Sequence, residues 1–244
     1  KFSNEDIIYL GDTKSFPYGS KSKESIINLT KNGIDFLISK NVKAIIIACG
    51  TATSQALDVV KKLYNIPIIG IIEPTAKYIA NNSNINNVGI VATHGTIRSN
   101  GWQNALLKYN PNLHIINRAC PLLAPMAEEG WTDNRVAELA VAEYMKGLNN
   151  VDALVLGCTH YPIISEVLTK HFGKDVALIN PALETAKDAA TILTKNNLLN
   201  TQEQSGSLEL RFSAKQNNSE KMAEIILGSD IPPITDVDLT TFAK

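Results

Sequence analysis

The feature that most constrains the fold is the alternation of short, uninterrupted apolar runs with longer amphipathic stretches. The apolar runs predict strands at Ile7–Tyr9, Ala44–Ile47, Ile66–Ile71, Val88–Val91, His114–Ile116, Leu154–Leu156 and Ala177–Ile179. Helical spacing predicts helices at Lys23–Ser39, Ser54–Leu63, Ser99–Leu107, Asn134–Gly147, Ile163–His171 and Glu184–Lys195, and one beginning at Pro74. Wholly apolar strands separated by helices are typical of a parallel sheet covered on both faces. The sequence therefore predicts an α/β fold.

The length of the chain and its tail bear on the number of domains. With 244 residues, 44% of them hydrophobic, the chain can form one large domain or two compact ones. In the tail, Asn200–Ser207 is polar and predicted to be a loop, Leu208–Ser213 alternates like a strand, and Ser219–Leu227 has the pattern of a short helix. We expect two α/β domains, with the tail returning to the first.

Composition argues against several classes of function. The charges balance, with 23 Lys and Arg against 24 Asp and Glu, so no basic surface for nucleic acid is expected. The apolar runs are too short for a bilayer span, which needs about 20 residues, and no secretory signal is visible. The three cysteines favour a reducing cytoplasm over a disulfide framework, and their spacing does not favour a metal site.

Two segments of the chain resemble each other, and each carries a cysteine at its eighth position. Residues 42–51 read Val-Lys-Ala-Ile-Ile-Ile-Ala-Cys-Gly-Thr, and residues 151–160 read Val-Asp-Ala-Leu-Val-Leu-Gly-Cys-Thr-His. Each has an apolar strand, a small residue, a cysteine and then a predicted helix. The carboxyl ends of parallel strands are where open sheets bind ligands. The repeat therefore predicts that Cys49 and Cys158 face each other across a cleft.

The setting of these cysteines suits acid/base chemistry. A cysteine just before a helix lies at the positive end of the helix dipole, so we expect a lowered pKa at Cys49 and Cys158. Free backbone N–H groups beside each can hold a carboxylate, and Ala48 and Gly157 allow close approach of a ligand. A lone buried cysteine is usually a small hydrophobic residue, and this is our interpretation of Cys120.

Other polar residues follow predicted strands. The turn at residues 11–19 carries a carboxylate, hydroxyls and an aromatic ring, as binding loops often do. Thr93 and Thr96 precede a helix, where Thr96 can be the N-cap. His160 lies two residues after Cys158 and could orient or protonate it. Glu128, judged alone, is expected to be a solvated helix residue.

These motifs resemble those of the glutamate racemase family. The matches run in order from about residue 5 to about residue 195: Gly11-Asp-Thr with Pro17-Tyr-Gly19, Ala48-Cys-Gly-Thr-Ala52, Gly70-Ile-Ile-Glu-Pro74, Ala92-Thr-His-Gly-Thr96, Ala119-Cys-Pro121 with Glu128-Glu-Gly130, and Leu156-Gly-Cys-Thr-His-Tyr-Pro162. The resemblance implies two pseudo-symmetric α/β domains with the active site in the cleft between them. We expect the first domain to comprise residues 1–73 and 185–244, and the second residues 74–184.

The resemblance also implies an activity, a substrate and a set of site residues. The activity is cofactor-independent racemisation of glutamate, which supplies D-glutamate for peptidoglycan in the cytoplasm, by an enzyme expected to be a homodimer. The implied catalytic set is Cys49 and Cys158 as acid and base, His160, and Glu128 as the partner of His160. The implied substrate-binding residues are Tyr18, Gly19, Gly50, Thr51, Thr93, Thr96, Thr159 and His160.

The sequence departs from the family pattern in two places. Gly50 stands where the family usually has an asparagine whose amide contacts the amino acid, a contact that a backbone N–H or a water could partly replace. The family's opening strand, which ends in an Asp-Ser-Gly motif, has no counterpart in the 244 residues. A polypeptide without that strand is expected to lose a central strand of its first domain and much of its activity.

Racemisation requires removal of the Cα proton on one face and delivery of a proton on the other, which two opposed thiols can perform in either direction. The motifs leave three alternatives open. One is an aspartate or hydantoin racemase of the same superfamily. Another is a non-catalytic ligand-binding relative. The third is a dithiol redox protein, which requires its two sulfurs to come within disulfide distance.

Overall fold

The computed structural model describes residues 3–214 and 219–242 of the chain. It has an α/β fold. The strands are β1 (Ile7–Gly11), β2 (Ile45–Ile47), β3 (Ile68–Gly70), β4 (Asn87–Ala92), β5 (His114–Ala119), β6 (Ala153–Leu156), β7 (Ala177–Ile179), β8 (Leu208–Phe212) and β9 (Ile234–Asp236). The helices are α1 (Lys23–Ser39), α2 (Gly50–Leu63), α3 (Ile72–Ala80), α4 (His94–Arg98), α5 (Gly101–Tyr109), α6 (Leu123–Glu128), α7 (Arg135–Tyr144), α8 (Ser165–Phe172), α9 (Pro181–Lys195) and α10 (Ser219–Leu227).

The strands form three parallel sheets, with orders β1-β8-β9, β2-β3 and β5-β4-β6-β7. The parallel pairing confirms the prediction made from the wholly apolar runs. The four-stranded sheet lies between two hydrophobic clusters, and successive residues of β4 enter different ones. Ile90 packs in the cluster that contains Trp102, whereas Val91 packs in the cluster that contains Tyr161. Both faces of this sheet are therefore buried, as expected for strands flanked by helices.

The tail pairs with the beginning of the chain, as predicted. Strand β8 lies parallel to β1, with Ile7 opposite Leu208 and Gly11 opposite Phe212. Strand β9 then pairs with the far side of β8. Strand β9 shows no signal in the sequence, because it is only three residues long and has no buried residue. The return of the tail places Ser213 beside Asp12, at the carboxyl end of β1.

Several helices differ from their predicted bounds, and two of these differences have a clear cause. Helix α2 begins at Gly50 rather than at Ser54, because Gly50, Thr51 and Thr53 are buried and tertiary packing outweighs their weak helix propensity. The predicted helix at Ser99–Leu107 is instead two helices, α4 and α5. Asn100 separates them in the left-handed region, with φ of 53°, a conformation that asparagine tolerates better than most residues.

Two further differences concern proline. Helix α3 begins at Ile72, two residues before Pro74, which is still within the first turn where proline is tolerated. Helix α6 is six residues long and contains Pro125 as its third residue, so its pattern was too short to be predicted from periodicity. This helix matters for the site because it ends at Glu128.

Candidate active site

The first cysteine lies at the carboxyl end of β2 and is the N-cap residue of α2. Burial raises the pKa of the Cys49 thiol to about 11, although hydrogen bonds from the backbone N–H groups of Ala52 and Thr51 act in the opposite direction. The expected lowering of this pKa by the helix dipole is therefore wrong, because desolvation outweighs the N–H groups. At neutral pH the Cys49 thiol holds its proton.

The second cysteine follows β6 and is buried, with 9% of its surface exposed. Its carbonyl oxygen accepts a hydrogen bond of 3.1 Å from the Tyr161 N–H. The segment that follows is a 3₁₀ helix, Tyr161–Ile164, which leads into α8, so Cys158 does not directly precede an α-helix as Cys49 does. The negative charge of a Cys158 thiolate acts on Cys49 and contributes to raising its pKa. The two thiols are thus close enough to influence each other.

His160 joins Cys158 to Glu128. Its Nδ1 lies 3.7 Å from the Cys158 sulfur, and its Nε2 lies 2.5 Å from Oε1 of Glu128. Burial alone would lower the pKa of His160, but the hydrogen bonds with Cys158 and Glu128 outweigh it and raise the pKa to about 9. Glu128 is 31% exposed, so it is not the fully solvated residue expected when it is judged alone. The ring of Phe16 packs 5.4 Å from the His160 ring.

Three threonine hydroxyls form a triangle in which each contacts the other two. Thr51, in α2, lies 2.8 Å from Thr93 and 3.1 Å from Thr96, and the hydroxyls of Thr93 and Thr96 are 3.0 Å apart. Thr93 rather than Thr96 is the N-cap of α4, since its hydroxyl accepts a bond from the Thr96 N–H. The triangle connects the helix that follows Cys49 to the loop that follows β4.

Tyr18 and Gly19 reach the same region from the turn after β1. The Tyr18 hydroxyl donates a hydrogen bond of 2.6 Å to Asp12, and burial together with this carboxylate raises its pKa well above the ordinary value. A Cβ placed on Gly19 would lie 2.4 Å from Cβ of Thr93, so only glycine fits there. The backbone of the turn at Gly19 therefore packs directly against Thr93, one of the three threonines of the triangle.

The remaining predicted residues lie beside the two cysteines. Gly50 is buried, and a Cβ placed on it would lie 2.2 Å from the Gly157 carbonyl oxygen. Thr159 is exposed, and its hydroxyl lies 3.4 Å from Nδ1 of His160. Cys120 is fully buried, and its carbonyl accepts a 2.7 Å hydrogen bond from the Tyr161 hydroxyl. The Gly50 backbone thus lies against the segment that precedes Cys158, and Thr159 lies beside His160, whereas Cys120 lies in the hydrophobic core.

The part of the chain that the structure describes has neither a candidate metal site nor a membrane-spanning helix. Within residues 3–214 and 219–242, no group of three or more His, Cys, Asp or Glu side chains could hold a metal ion. Within the same ranges, no helix is long and apolar enough to cross a membrane.

Comparison with known proteins identifies the family to which this chain belongs. The family model described as Asp/Glu/Hydantoin racemase matches residues 5–189. The chain belongs to the Asp/Glu/Hydantoin racemase family. Its relatives include a glutamate racemase of Geobacter metallireducens, 38% identical over 237 residues, which are 96% of this chain and 88% of that protein.

Solved structures of this racemase family have the same fold. A crystal structure of glutamate racemase from Francisella tularensis in complex with D-glutamate is 36% identical, with a TM-score of 0.89, covering 98% of this chain and 89% of that one. A glutamate racemase isoform from Bacillus anthracis is 32% identical, with a TM-score of 0.92, covering 98% of this chain and 90% of that one. These likenesses extend along nearly the whole chain, so the two-domain α/β racemase fold is that of the present chain.

Two residues at the racemase cleft carry no motif that marks them in the sequence. Tyr9 lies in β1, and its pKa is raised by desolvation of its hydroxyl and, less strongly, by the negative charges of Glu128 and Cys49. Gln55 lies in α2, and its amide donates a hydrogen bond of 3.1 Å to the Gly95 carbonyl at the start of α4. Each contact joins segments distant in sequence, so only the folded chain reveals it.

Proposed function

We propose that this chain interconverts L- and D-glutamate without a cofactor, using Cys49 and Cys158 as opposed acid and base. The observation that carries the proposal is the arrangement of the two thiols. Each follows a strand of a different sheet, and the charge of Cys158 raises the pKa of Cys49. The glutamate racemases among the relatives, including one solved with D-glutamate, support glutamate as the substrate.

Racemisation removes one proton from Cα and delivers one proton to its opposite face. One sulfur, as a thiolate, takes the proton from Cα, and the opposite thiol gives its proton to the other face of the resulting carbanion. The Cys49 thiol, with a pKa of about 11, holds a proton at neutral pH and can be the donor. For the reverse reaction the roles are exchanged. His160 places an imidazolium beside the Cys158 sulfur at pH values below about 9, and Glu128 keeps that ring in place.

The developing negative charge on the substrate needs hydrogen-bond donors at its carboxylate. The hydroxyls of Thr51, Thr93 and Thr96 are the donors that the cleft offers. We propose that the other binding residues are Tyr18, Gly19, Gly50, Thr159 and His160. Closure of the cleft around the substrate excludes water, which strengthens each of these contacts.

The experiment follows hydrogen exchange at Cα by NMR in D₂O, starting from either enantiomer of glutamate. The wild-type chain is expected to form each enantiomer from the other with deuterium at Cα. Cys49→Ala and Cys158→Ala should abolish racemisation, whereas Cys120→Ala, a matched control at the third cysteine, should retain it. Near-normal turnover in either of the first two variants would overturn the two-thiol mechanism. Faster turnover of aspartate or of a hydantoin would overturn the choice of substrate.

We further propose a setting for this activity. It is the supply of D-glutamate for peptidoglycan, in the cytoplasm, by a homodimer, as the resemblance implies. The proposed domains are residues 1–73 with 185–244, and residues 74–184. The boundary at residues 73 and 74 falls within α3, and that at residues 184 and 185 falls within α9. These two helices pack together, with Lys187 Nζ 5.9 Å from the ring centre of Tyr78. Light scattering of the purified chain tests the dimer, because a monomer at micromolar concentration would contradict it.

A further inference from the structure

The first half of α2 lies against the other side of the cleft along one face of the helix. Thr51 bonds to Thr93 and Thr96, and Gln55 bonds to the Gly95 carbonyl. These contacts hold α2, whose first residue is Gly50, against the segment that follows β4. How closely α2 approaches this part of the chain therefore depends on the size of the side chains on that face of the helix.

Gly50 makes the closest of these approaches. A Cβ placed there would lie 2.2 Å from the carbonyl oxygen of Gly157 and 3.4 Å from its carbonyl carbon. The obstacle is backbone rather than the end of a flexible side chain, so it cannot rotate away. Gly157 is itself confined, since a Cβ on it would lie 2.9 Å from the Val91 carbonyl oxygen. Any side chain at position 50 thus forces the two segments apart.

The two glycines are neighbours in sequence of the two cysteines. Gly50 follows Cys49, and Gly157 precedes Cys158. A displacement of one segment from the other therefore passes directly to the distance between the sulfurs. A misplacement of about 1 Å in a group that must meet a reacting atom can reduce a rate by about 100-fold.

We propose that Gly50 is a positioning residue whose missing side chain lets α2 close against the Gly157 carbonyl, and that this contact sets the separation of Cys49 and Cys158. The proposal rests on the proposed two-thiol racemisation. Gly50 can contact the substrate only through its backbone, which alanine keeps, and the proposed hydroxyl donors belong to other residues, so widening of the gap changes turnover more than binding. Gly50→Ala should reduce kcat at least about 10-fold while KM changes less than about threefold.

The matched control is Gly33→Ala. Gly33 is also a helical glycine, in α1, but a Cβ there meets only the Leu10 side chain, at 3.3 Å, which can shift. We expect Gly33→Ala to retain kcat. Gly50→Asn introduces the side chain that the family usually has, and it meets the same carbonyl. It should therefore lower kcat as Gly50→Ala does.

A second readout is independent of turnover. The rate at which iodoacetamide modifies Cys158, followed by peptide mass spectrometry, reports the opening of the cleft at a residue distant in sequence from position 50. We expect a rise of at least about threefold in both Gly50 variants, since the buried Cys158 becomes accessible. The rate at Cys120, fully buried in the core, should not change, and a rise there would indicate unfolding instead.

The outcomes separate the two proposals. If the wild-type chain does not racemise glutamate but Cys158 reacts faster in both Gly50 variants, the proposed function fails and the closure contact stands. If the wild type is active and both variants keep its kcat and its Cys158 reactivity, the inference about Gly50 is wrong. A rise at Cys158 accompanied by an equal rise at Cys120 would also overturn it, because Gly50 would then act through general stability.

Discussion

The Glu128 carboxylate lies 2.5 Å from Nε2 of His160, on the side of the ring opposite the Cys158 sulfur. The ring thus has an acceptor at each nitrogen, and it holds a second proton up to a pH of about 9. A carboxylate on helix α6 therefore influences, through the His160 ring, the charge beside Cys158. Glu128 is best described as a positioning residue for His160.

Replacement of Glu128 by Gln removes this anion without changing the size of the side chain. The pKa of His160 is then expected to fall by at least about one pH unit, because burial disfavours the imidazolium and only Cys158 still opposes it. NMR titration of the ring, assigned with a His160→Gln variant, measures this directly. Glu129→Gln removes the same charge from the neighbouring, exposed residue and should leave the titration unchanged. An unshifted His160 in Glu128→Gln would contradict the coupling.

The same group makes stability depend on pH. In the folded chain His160 keeps its proton to about pH 9, whereas the ordinary value is 6.5. Its stabilising contribution is therefore fully present below about pH 6.5 and is lost as pH rises through 9. Urea unfolding should show the wild type losing on the order of 1–3 kcal/mol more than His160→Gln over this range. Parallel pH profiles for the two proteins would exclude a role for His160.

The thiol of Cys49 should react slowly at neutral pH. Because its pKa is about 11, the thiolate fraction rises about tenfold per pH unit between about pH 7 and pH 10. The rate of alkylation of Cys49, followed by peptide mass spectrometry in Cys158→Ala, should rise in proportion. Removal of Cys158 also removes its charge, so the rise should begin at slightly lower pH than in the wild type. A plateau below about pH 9 would show that the helix N–H groups outweigh burial.

The Tyr161 hydroxyl should stabilise the chain without taking part in the reaction. Tyr161 is fully buried, and it donates to the Cys120 carbonyl from the 3₁₀ helix that follows Cys158. Tyr161→Phe leaves that carbonyl without this donor, so a loss of about 1–2 kcal/mol in the free energy of unfolding is expected. Urea titration gives this value, and turnover should remain within about threefold of the wild type. A loss of activity without a loss of stability would place Tyr161 in the reaction instead.

The predictable parts of the fold are those with local signals. Helix α1 has its predicted bounds, because its apolar residues recur at helical spacing, and the structure shows that Ser22 caps it. Strand β7 is also observed as predicted. By contrast, α6 and β9 are too short to show a period, and the break at Asn100 depends on a single left-handed residue.

The candidate site likewise has some parts that local sequence signals predict and others that they do not. The two cysteines were found from a repeated local pattern. The threonine triangle joins α2 to the loop after β4, so its distances depend on how distant segments pack. The pKa of Cys49 was misjudged for a similar reason. The sequence shows a helix beginning beside the thiol, but the desolvation that outweighs it comes from the whole surrounding cleft.

The triangle of Thr51, Thr93 and Thr96 has a consequence for how a ligand enters. Each hydroxyl has one hydrogen to donate, and three hydroxyls in mutual contact can donate in a circle, clockwise or anticlockwise. In either direction every hydrogen is already used. An arriving carboxylate must interrupt the circle and reverse the orientation of at least one O–H bond. Without a ligand, the three hydroxyls therefore satisfy one another's hydrogen bonds. An anion must compete with these mutual hydrogen bonds for the donors.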